Sequence, residues 1–166
     1  MEDVKSEKIE YLFLDIEWNQ APGTSDLDGR EAIQIGVVAA DAAMKKVKSF
    51  SMAIQLKHPE LLSTETIKVA HTTANNIMQA KPEDIVLTNF SQTFPEYQYI
   101  VVWSREIYDL FKRDMKNYKV SMQKHQVIVL QEVVNAVAGN VKKMIGFELA
   151  LIGAGIDLSL IHISEP

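Results

Sequence analysis

Two acidic residues, Asp15 and Glu17, stand two positions apart in the apolar segment Phe13-Leu14-Asp15-Ile16-Glu17-Trp18. In a β-strand, side chains at i and i+2 point to the same face, so both carboxylates would leave the strand together. Their repulsion, about 3 kcal/mol in a half-buried site, favours a bound cation. Carboxylate oxygens suit Mg²⁺ or Mn²⁺, and two such ions could activate a water and stabilise the leaving oxygen of a phosphodiester. The alternative is a strand end that emerges into solvent with both acids hydrated.

Strands and helices in a mixed α/β order must position these acids. The apolar run 11–16 predicts a strand buried on both faces, followed by a loop over 19–29. Further strands are predicted over 32–40, 47–56, 99–103 and 126–129. Helices are predicted over 64–69, 74–79, 82–93, 104–118, 130–138 and 146–154, with Ser104 as an N-cap. We expect strand 11–17 at the centre, with 32–40 antiparallel on one side and 99–103 parallel on the other.

The composition limits the class of protein. The 166 residues carry a net charge of −5 and no cysteine, which excludes disulfides and thiolate metal sites and fits a cytoplasmic protein. No apolar run is long enough to span a membrane. Residues 1–40 hold nine acidic and three basic side chains, whereas residues 101–143 hold four acidic and eight basic ones. An acidic centre that recruits cations beside a basic stretch that meets phosphates would produce this asymmetry; ordinary solvated helix faces would also produce it.

The segment 13–18, a loop, and then Glu31-Ala32-Ile33-Gln34-Ile35-Gly36-Val37-Val38 resemble the first motif of the DEDD (DnaQ-like) 3′–5′ exonucleases and the strand after it. The resemblance is specific over residues 11–40 and covers residues 9–158 in element order. It implies a ribonuclease H-like α/β fold, with a five-stranded sheet of three antiparallel strands followed by parallel ones, and flanking helices. It also implies that Asp15 and Glu17 are catalytic metal ligands in a two-metal site for Mg²⁺ or Mn²⁺. Trp18 would lie beside the terminal nucleotide.

The second motif departs from the family's usual Trp-Gly-x-x-Asp, because Trp103-Ser104-Arg105-Glu106-Ile107 places isoleucine at the aspartate position. Glu106, nearer the helix start, is the first choice for the catalytic carboxylate, and Asp109 is the other candidate metal ligand. Alternatively, both are solvated helix acids, with Asp109 paired to Arg105 or Arg113.

A third segment, Val69-Ala70-His71-Thr72-Thr73-Ala74, occupies the place where these enzymes contact the 3′-terminal nucleotide. Thr72 and Thr73 are therefore candidate substrate-binding residues, although helix capping is the favoured interpretation. His71 is expected to be a surface histidine.

The family's third motif adds a His or Tyr base and a final Asp. His162 follows the expected helix, but residues 159–166 resemble translated adapter sequence and are expected to be non-native. We therefore expect one domain over residues 1–158 that lacks the final helix, with exposed apolar surface near Ile152, Ile156 and Leu158.

The resemblance implies hydrolysis of DNA or RNA from a single-stranded 3′ end to nucleoside monophosphates. The alternative is a catalytically degenerate nucleic-acid-binding module of the same fold.

Overall fold

The computed structural model describes residues 8–139 and 143–156. The chain divides into two compact units, with the boundary between Ile128 and Val129. The expected single domain over residues 1–158 stays a prediction, because compactness alone does not decide which parts fold independently. The expected non-native tail, His162 and Leu158 lie outside the described residues.

A five-stranded sheet with the order β3-β2-β1-β4-β5 forms the body of the first unit. Its strands are β1 (Tyr11–Gln20), β2 (Arg30–Ala40), β3 (Lys46–Ala53), β4 (Tyr99–Val102) and β5 (Gln126–Val129). Strand β2 pairs antiparallel with both β1 and β3, whereas β4 runs parallel to β1. The predicted central strand and its two neighbours are confirmed, and the mixed sheet with flanking helices is ribonuclease H-like.

The two faces of β1 are buried to different extents. Leu12, Leu14 and Ile16 are at most 4% exposed. Tyr11 and Phe13, on the other face, are only half-buried. The predicted burial of this strand on both faces is therefore complete on one face only. The acids at positions 15 and 17 continue the less buried face.

Helices cover the fully buried face of the sheet. The first unit contains a short 3₁₀ helix (Pro59–Leu61), α1 (Thr64–Val69), α2 (Ala74–Met78), α3 (Glu83–Thr93) and α4 (Arg105–Asn117). Phe50 of β3 shares the face of Leu14, because both lie opposite Val37 in register. The Phe50 ring lies 6.3 Å from that of Phe90 in α3, which in turn lies 5.1 Å from Phe111 in α4. This aromatic cluster fixes α3 and α4 against the sheet.

The connection between β1 and β2 is shorter than predicted. The ladder extends to the pairs Asn19–Glu31 and Gln20–Arg30, so the loop shrinks from 19–29 to 21–29. A side-chain hydrogen bond of 3.0 Å from Arg30 Nε to Gln20 Oε1 secures the end of the hairpin. Gly29 is needed inside the loop, because a Cβ atom there would lie 2.0 Å from Thr24 Oγ1.

The second unit contains α5 (Leu130–Val137) and α6 (Phe147–Gly153), close to the predicted bounds. Ile152 and Ile156 are 62% and 46% exposed, as expected. Among the described residues, no helix is both long enough and apolar enough to cross a membrane.

Candidate metal site

Asp15 and Glu17, called the strand pair below, project from the middle of the central strand. Asp15 lies opposite Gly36 of β2, and Glu17 lies opposite Gln34. Apart from Gly36 and its two chain neighbours, no heavy atom of the described residues lies within 4 Å of the position that a Cβ atom of Gly36 would take. The space beside the Asp15 carboxylate is therefore open to a ligand.

The surroundings of the strand pair disfavour its charge. Asp15 is exposed at the surface, yet enough protein surrounds its carboxylate that lost hydration raises its pKa, against the opposing effect of a hydrogen bond with the Ile16 backbone. Lost hydration also raises the pKa of Glu17, and repulsion by Asp15 adds to the rise. The two carboxylates lie near each other because residues two apart in a strand share a face, and a cation bound between them would relieve their repulsion.

A β-bulge follows the strand pair, where the register shifts between Glu17 and Trp18. The next residue, Asn19, is 2% exposed and binds the segment that leads into α1. Its Nδ2 donates to Leu61 O at 3.0 Å, and its Oδ1 accepts from Ser63 N at 3.0 Å and from Thr66 Oγ1 at 2.9 Å. Asn19 thus fixes the end of the strand that carries the acids. Sequence reasoning did not single out this role.

Trp18 is held by a residue that the sequence analysis missed. The guanidinium carbon of Arg30 lies 4.8 Å from the centre of the Trp18 ring, within the range of a cation–π interaction. Arg30 Nη2 also lies 3.3 Å from Glu106 Oε1 at the start of α4. The Arg30 side chain is 11% exposed and that of Glu106 is 60% exposed. Arg30 therefore joins the hairpin end to α4.

The structure brings together only part of the expected metal site. Within residues 8–139 and 143–156, no three His, Asp or Glu side chains come close enough to hold one ion, so neither Glu106 nor Asp109 completes a cluster with the strand pair.

Of the two suggested partners of Asp109, Arg113 instead binds Asp114 at 2.7 Å and donates to backbone oxygens of Leu27 and Arg30, whereas pairing with Arg105 stays a prediction. Ser104 precedes α4 as predicted, but its side chain makes no capping hydrogen bond there.

The threonines differ in their roles. Thr73 is the N-cap of α2, where its side chain accepts a hydrogen bond from Asn76 N at 3.1 Å, as the capping interpretation predicted. The Thr72 amide donates to Ile67 O at 3.3 Å, and its side chain is half-buried. His71 is exposed, as expected.

Comparison with known proteins gives a result for structure but none for sequence. No family model matches the chain, and no curated protein matches it. Among solved structures, the chain is similar to cell-death related nuclease 4 (CRN-4), with a TM-score of 0.69 and 18% identity over 89% of this chain and 55% of that one. It is similar to E. coli Exonuclease I in complex with a 5cy-dA13 oligonucleotide, with a TM-score of 0.67 and 13% identity over 89% of this chain and 36% of that one.

A third similar structure is the nuclease domain of 3'hExo, a DEDDh family member bound to rAMP, with a TM-score of 0.68 and 12% identity over 89% of this chain and 79% of that one. The chain thus spans about half of CRN-4 and about a third of Exonuclease I. At these identities the similarity establishes the fold: the chain has the fold of the DEDD 3′-exonucleases.

Proposed function

We propose that this chain provides the first metal-binding motif of a 3′–5′ exonuclease that hydrolyses DNA or RNA from a single-stranded 3′ end to nucleoside monophosphates. One observation carries the proposal. The central strand of an exonuclease fold presents two neighbouring carboxylates, with raised pKa values, beside open space at Gly36. Without a bound cation, nothing compensates the repulsion between the Asp15 and Glu17 carboxylates.

The strand pair fits a hard divalent cation. Mg²⁺ is usually bound by one or two carboxylates, with waters and substrate phosphates completing its coordination, so Asp15 and Glu17 suffice to hold one Mg²⁺ or Mn²⁺ ion. Such an ion lowers the pKa of a bound water and stabilises charge on a phosphate. The protein must keep both acids ionised and oriented toward the ion. The hydrogen bonds of Asn19, which hold the end of the strand in place, support that orientation.

A second ion needs another carboxylate, and Glu106 is our first choice, with Asp109 as the other candidate. The Glu106 side chain is 60% exposed, and its contact with Arg30 at 3.3 Å is a surface ion pair worth about 0–1 kcal/mol. Glu106 can therefore exchange this contact for a metal ion at small cost.

Trp18 is the proposed contact for the terminal nucleotide. An aromatic ring offers a face on which any base can stack, worth about 1–3 kcal/mol per base. Arg30 covers part of the Trp18 ring and supplies positive charge near the end of the hairpin. Thr72 remains a second candidate contact. Thr73 is a weaker one, because its side-chain oxygen already caps α2.

A second candidate function is a catalytically degenerate binding module. It is favoured by the lack of any cluster of three potential metal ligands within the described residues. Such a protein would keep the Trp18 surface for nucleic acid and bind without cutting.

The experiment compares wild type with Asp15→Asn in the full-length protein. A single-stranded oligonucleotide labelled at its 5′ end should be shortened stepwise from the 3′ end with Mg²⁺ or Mn²⁺, and the products should be nucleoside monophosphates. Asp15→Asn should abolish shortening, whereas Glu96→Gln, which changes an exposed acid outside the site, should not. Equal rates for wild type and Asp15→Asn would refute the proposed mechanism. Binding without shortening would favour the second candidate.

A further inference from the structure

A second pair of carboxyl groups lies inside the first unit, between α3 and α4. Glu83 is the first residue of α3, and Asp114 lies in the second half of α4. The two residues are 7% and 2% exposed. We call them the buried pair. Acidic side chains are seldom buried to this extent unless charged or hydrogen-bonding partners compensate them.

Each carboxyl group uses one oxygen to bind a basic side chain. Lys57 Nζ lies 3.4 Å from Glu83 Oε2. Arg113 Nε and Nη2 both lie 2.7 Å from Asp114 Oδ1. These contacts satisfy one side of each acid and place two positive charges at the outer ends of the buried pair.

The remaining oxygen of each acid lies inside the protein. Glu83 Oε1 and Asp114 Oδ2 are both buried, and neither has a hydrogen-bond partner among the described residues. The two side chains are nevertheless close enough to hydrogen-bond to each other. Ionised carboxylates only accept hydrogen bonds, so this bond exists only when one of the two carries a proton.

We propose that Glu83 and Asp114 are a proton-binding site, which holds one proton between Glu83 Oε1 and Asp114 Oδ2 below neutral pH and thereby fastens α3 to α4. A proton satisfies both unpartnered oxygens at once. A metal ion fits less well, because Lys57 and Arg113 already supply two positive charges. In addition, no third acid or histidine joins the pair within the described part of the chain.

The electrostatics of the site agree with this geometry. Burial raises the pKa of Asp114 to about 7, and the charge of Glu83 and the hydrogen bond with it add to the rise, whereas Arg113 opposes it. Two carboxyl groups that share one site release their protons as a coupled pair. The midpoint of about 7 therefore belongs to the buried pair as a whole.

Other charged and titratable groups surround the buried pair. Tyr118 and Lys57 interact directly with Glu83. A polar cavity of about 230 Å³ beside the pair is also lined by Asp28, Arg30, Glu31 and His58. Glu31 is engaged elsewhere, since its Oε2 accepts hydrogen bonds from the Lys57 and His58 amides at 2.9 and 3.3 Å. His58 lines the same cavity, so His58→Gln is the control variant for the buried pair.

Arg113 links Asp114 to the hairpin near Trp18. Arg113 bridges Asp114 and the backbone oxygens of Leu27 and Arg30. Loss of the proton leaves two charged carboxylates facing each other and weakens the contact between α3 and α4, whereas the Arg113 bridge lies between α4 and the hairpin.

The direction of the pH dependence follows from linkage. Asp114 has a raised pKa in the folded state, so above its ordinary value of 3.8 the folded chain keeps a proton that the unfolded chain releases. Protonation therefore contributes its full stabilisation below about pH 4, and this contribution declines as the pH rises from there and is lost once the pH has passed about 7.

Two measurements on the 166-residue chain test the proposal. NMR titration of side-chain carboxyl carbons should show the buried pair titrating near neutral pH. Thermal unfolding should show that the Tm of Asp114→Asn, relative to wild type, is several degrees higher at about pH 8 than at about pH 5, because asparagine mimics the protonated acid. Glu83→Gln should show the same trend. Asp84→Asn, which changes the exposed neighbour of Glu83 in α3, should give a Tm difference that is independent of pH.

Three results would overturn the proposal. The first is titration of both acids at ordinary carboxyl values. The second is a neutral-pH change in Tm that His58→Gln removes and Asp114→Asn retains, since the proton would then belong to the histidine. The third is a Tm increase on addition of MgCl₂ that Asp114→Asn abolishes, since a metal ion would then occupy the site.

Discussion

The strand pair, Asp15 and Glu17, lies on a strand face beside open space, whereas the buried pair, Glu83 and Asp114, lies between two helices with a basic side chain against each acid. The pKa of Asp114 is raised to about 7, and the pKa values of Asp15 and Glu17 are raised as well. A raised pKa therefore does not distinguish a functional acid from a structural one. The partners of the remaining oxygens make the distinction.

This difference in partners implies different ligands. The open space at Gly36 admits an ion with its waters, which is how Mg²⁺ is usually held. The unpartnered oxygens of the buried pair are shut off from solvent and belong to two side chains within hydrogen-bonding reach of each other, so a proton is sufficient. Mutations should consequently affect catalysis at the strand pair and stability at the buried pair.

The largest expected effect is on hydrolysis by Glu17→Gln. Loss of one metal ligand should lower the rate of oligonucleotide shortening by about 1,000-fold, or about 4 kcal/mol of transition-state stabilisation. The Tm should stay the same or rise, because the amide removes repulsion between two acids. Rates are measured under saturating Mg²⁺, with Glu96→Gln as the matched control. A rate within a few fold of wild type would show that Glu17 is not a ligand.

A second effect concerns stability and should appear only at the buried pair. Asp114→Ala leaves Arg113 without its carboxylate and Glu83 without its proton partner, so the free energy of unfolding should fall by about 3 kcal/mol. Asp15→Ala should change it little, because Asp15 is exposed. Urea denaturation of both variants gives the comparison. Equal losses would contradict the division between a functional and a structural pair.

The contrast between the two pairs also explains what the sequence could predict. The strand pair was found because residues two apart in a strand share a face, a rule that operates within one element. The central position of β1 followed from its apolar run. The capping role of Thr73 also followed from a local rule. The side chain of a threonine directly before a helix accepts a hydrogen bond from the backbone amide three residues later.

The buried pair and Arg30 could not be found by such rules. Glu83 has the sequence environment of an ordinary first-turn acid, and Asp114 that of a surface helix acid beside an arginine. Only the packing of α3 against α4 brings them together. Arg30 likewise reaches Glu106 only because β2 lies beside β1 and the hairpin end lies near the start of α4. Long-range contacts of this type have no periodic signal in the sequence.

A smaller effect should distinguish the two pairs by their response to Mg²⁺. At a free concentration about tenfold above the dissociation constant, binding should stabilise wild type by about 1.4 kcal/mol, a Tm increase of about 4 °C. Asp15→Asn should lose this shift, and Asp114→Asn should retain it. Because the pKa values of Asp15 and Glu17 are raised, the shift should weaken on acidification earlier than ordinary carboxylates would predict. A shift that does not depend on Asp15 would place the ion elsewhere.

The smallest expected effect concerns Arg30, which joins the Trp18 ring to α4 beside the strand pair. Its cation–π contact, at 4.8 Å from the ring centre, contributes about 0.5–1 kcal/mol to holding the indole in place. Arg30→Gln keeps a polar side chain but removes this contact and the ion pair with Glu106. If Trp18 stacks on the terminal base, the variant should raise KM by up to about fivefold and leave kcat near wild type, because ring placement affects binding in the ground and transition states alike.

Trp18→Ala should raise KM at least as far, and the double variant should add little to it, because both changes act on one contact. Steady-state shortening of an oligonucleotide, measured over a range of substrate concentrations, separates the two constants. A fall in kcat comparable to that of Glu17→Gln would instead show that Arg30 acts on the reacting phosphate, and would move the boundary of the metal site from the strand pair to the end of the hairpin.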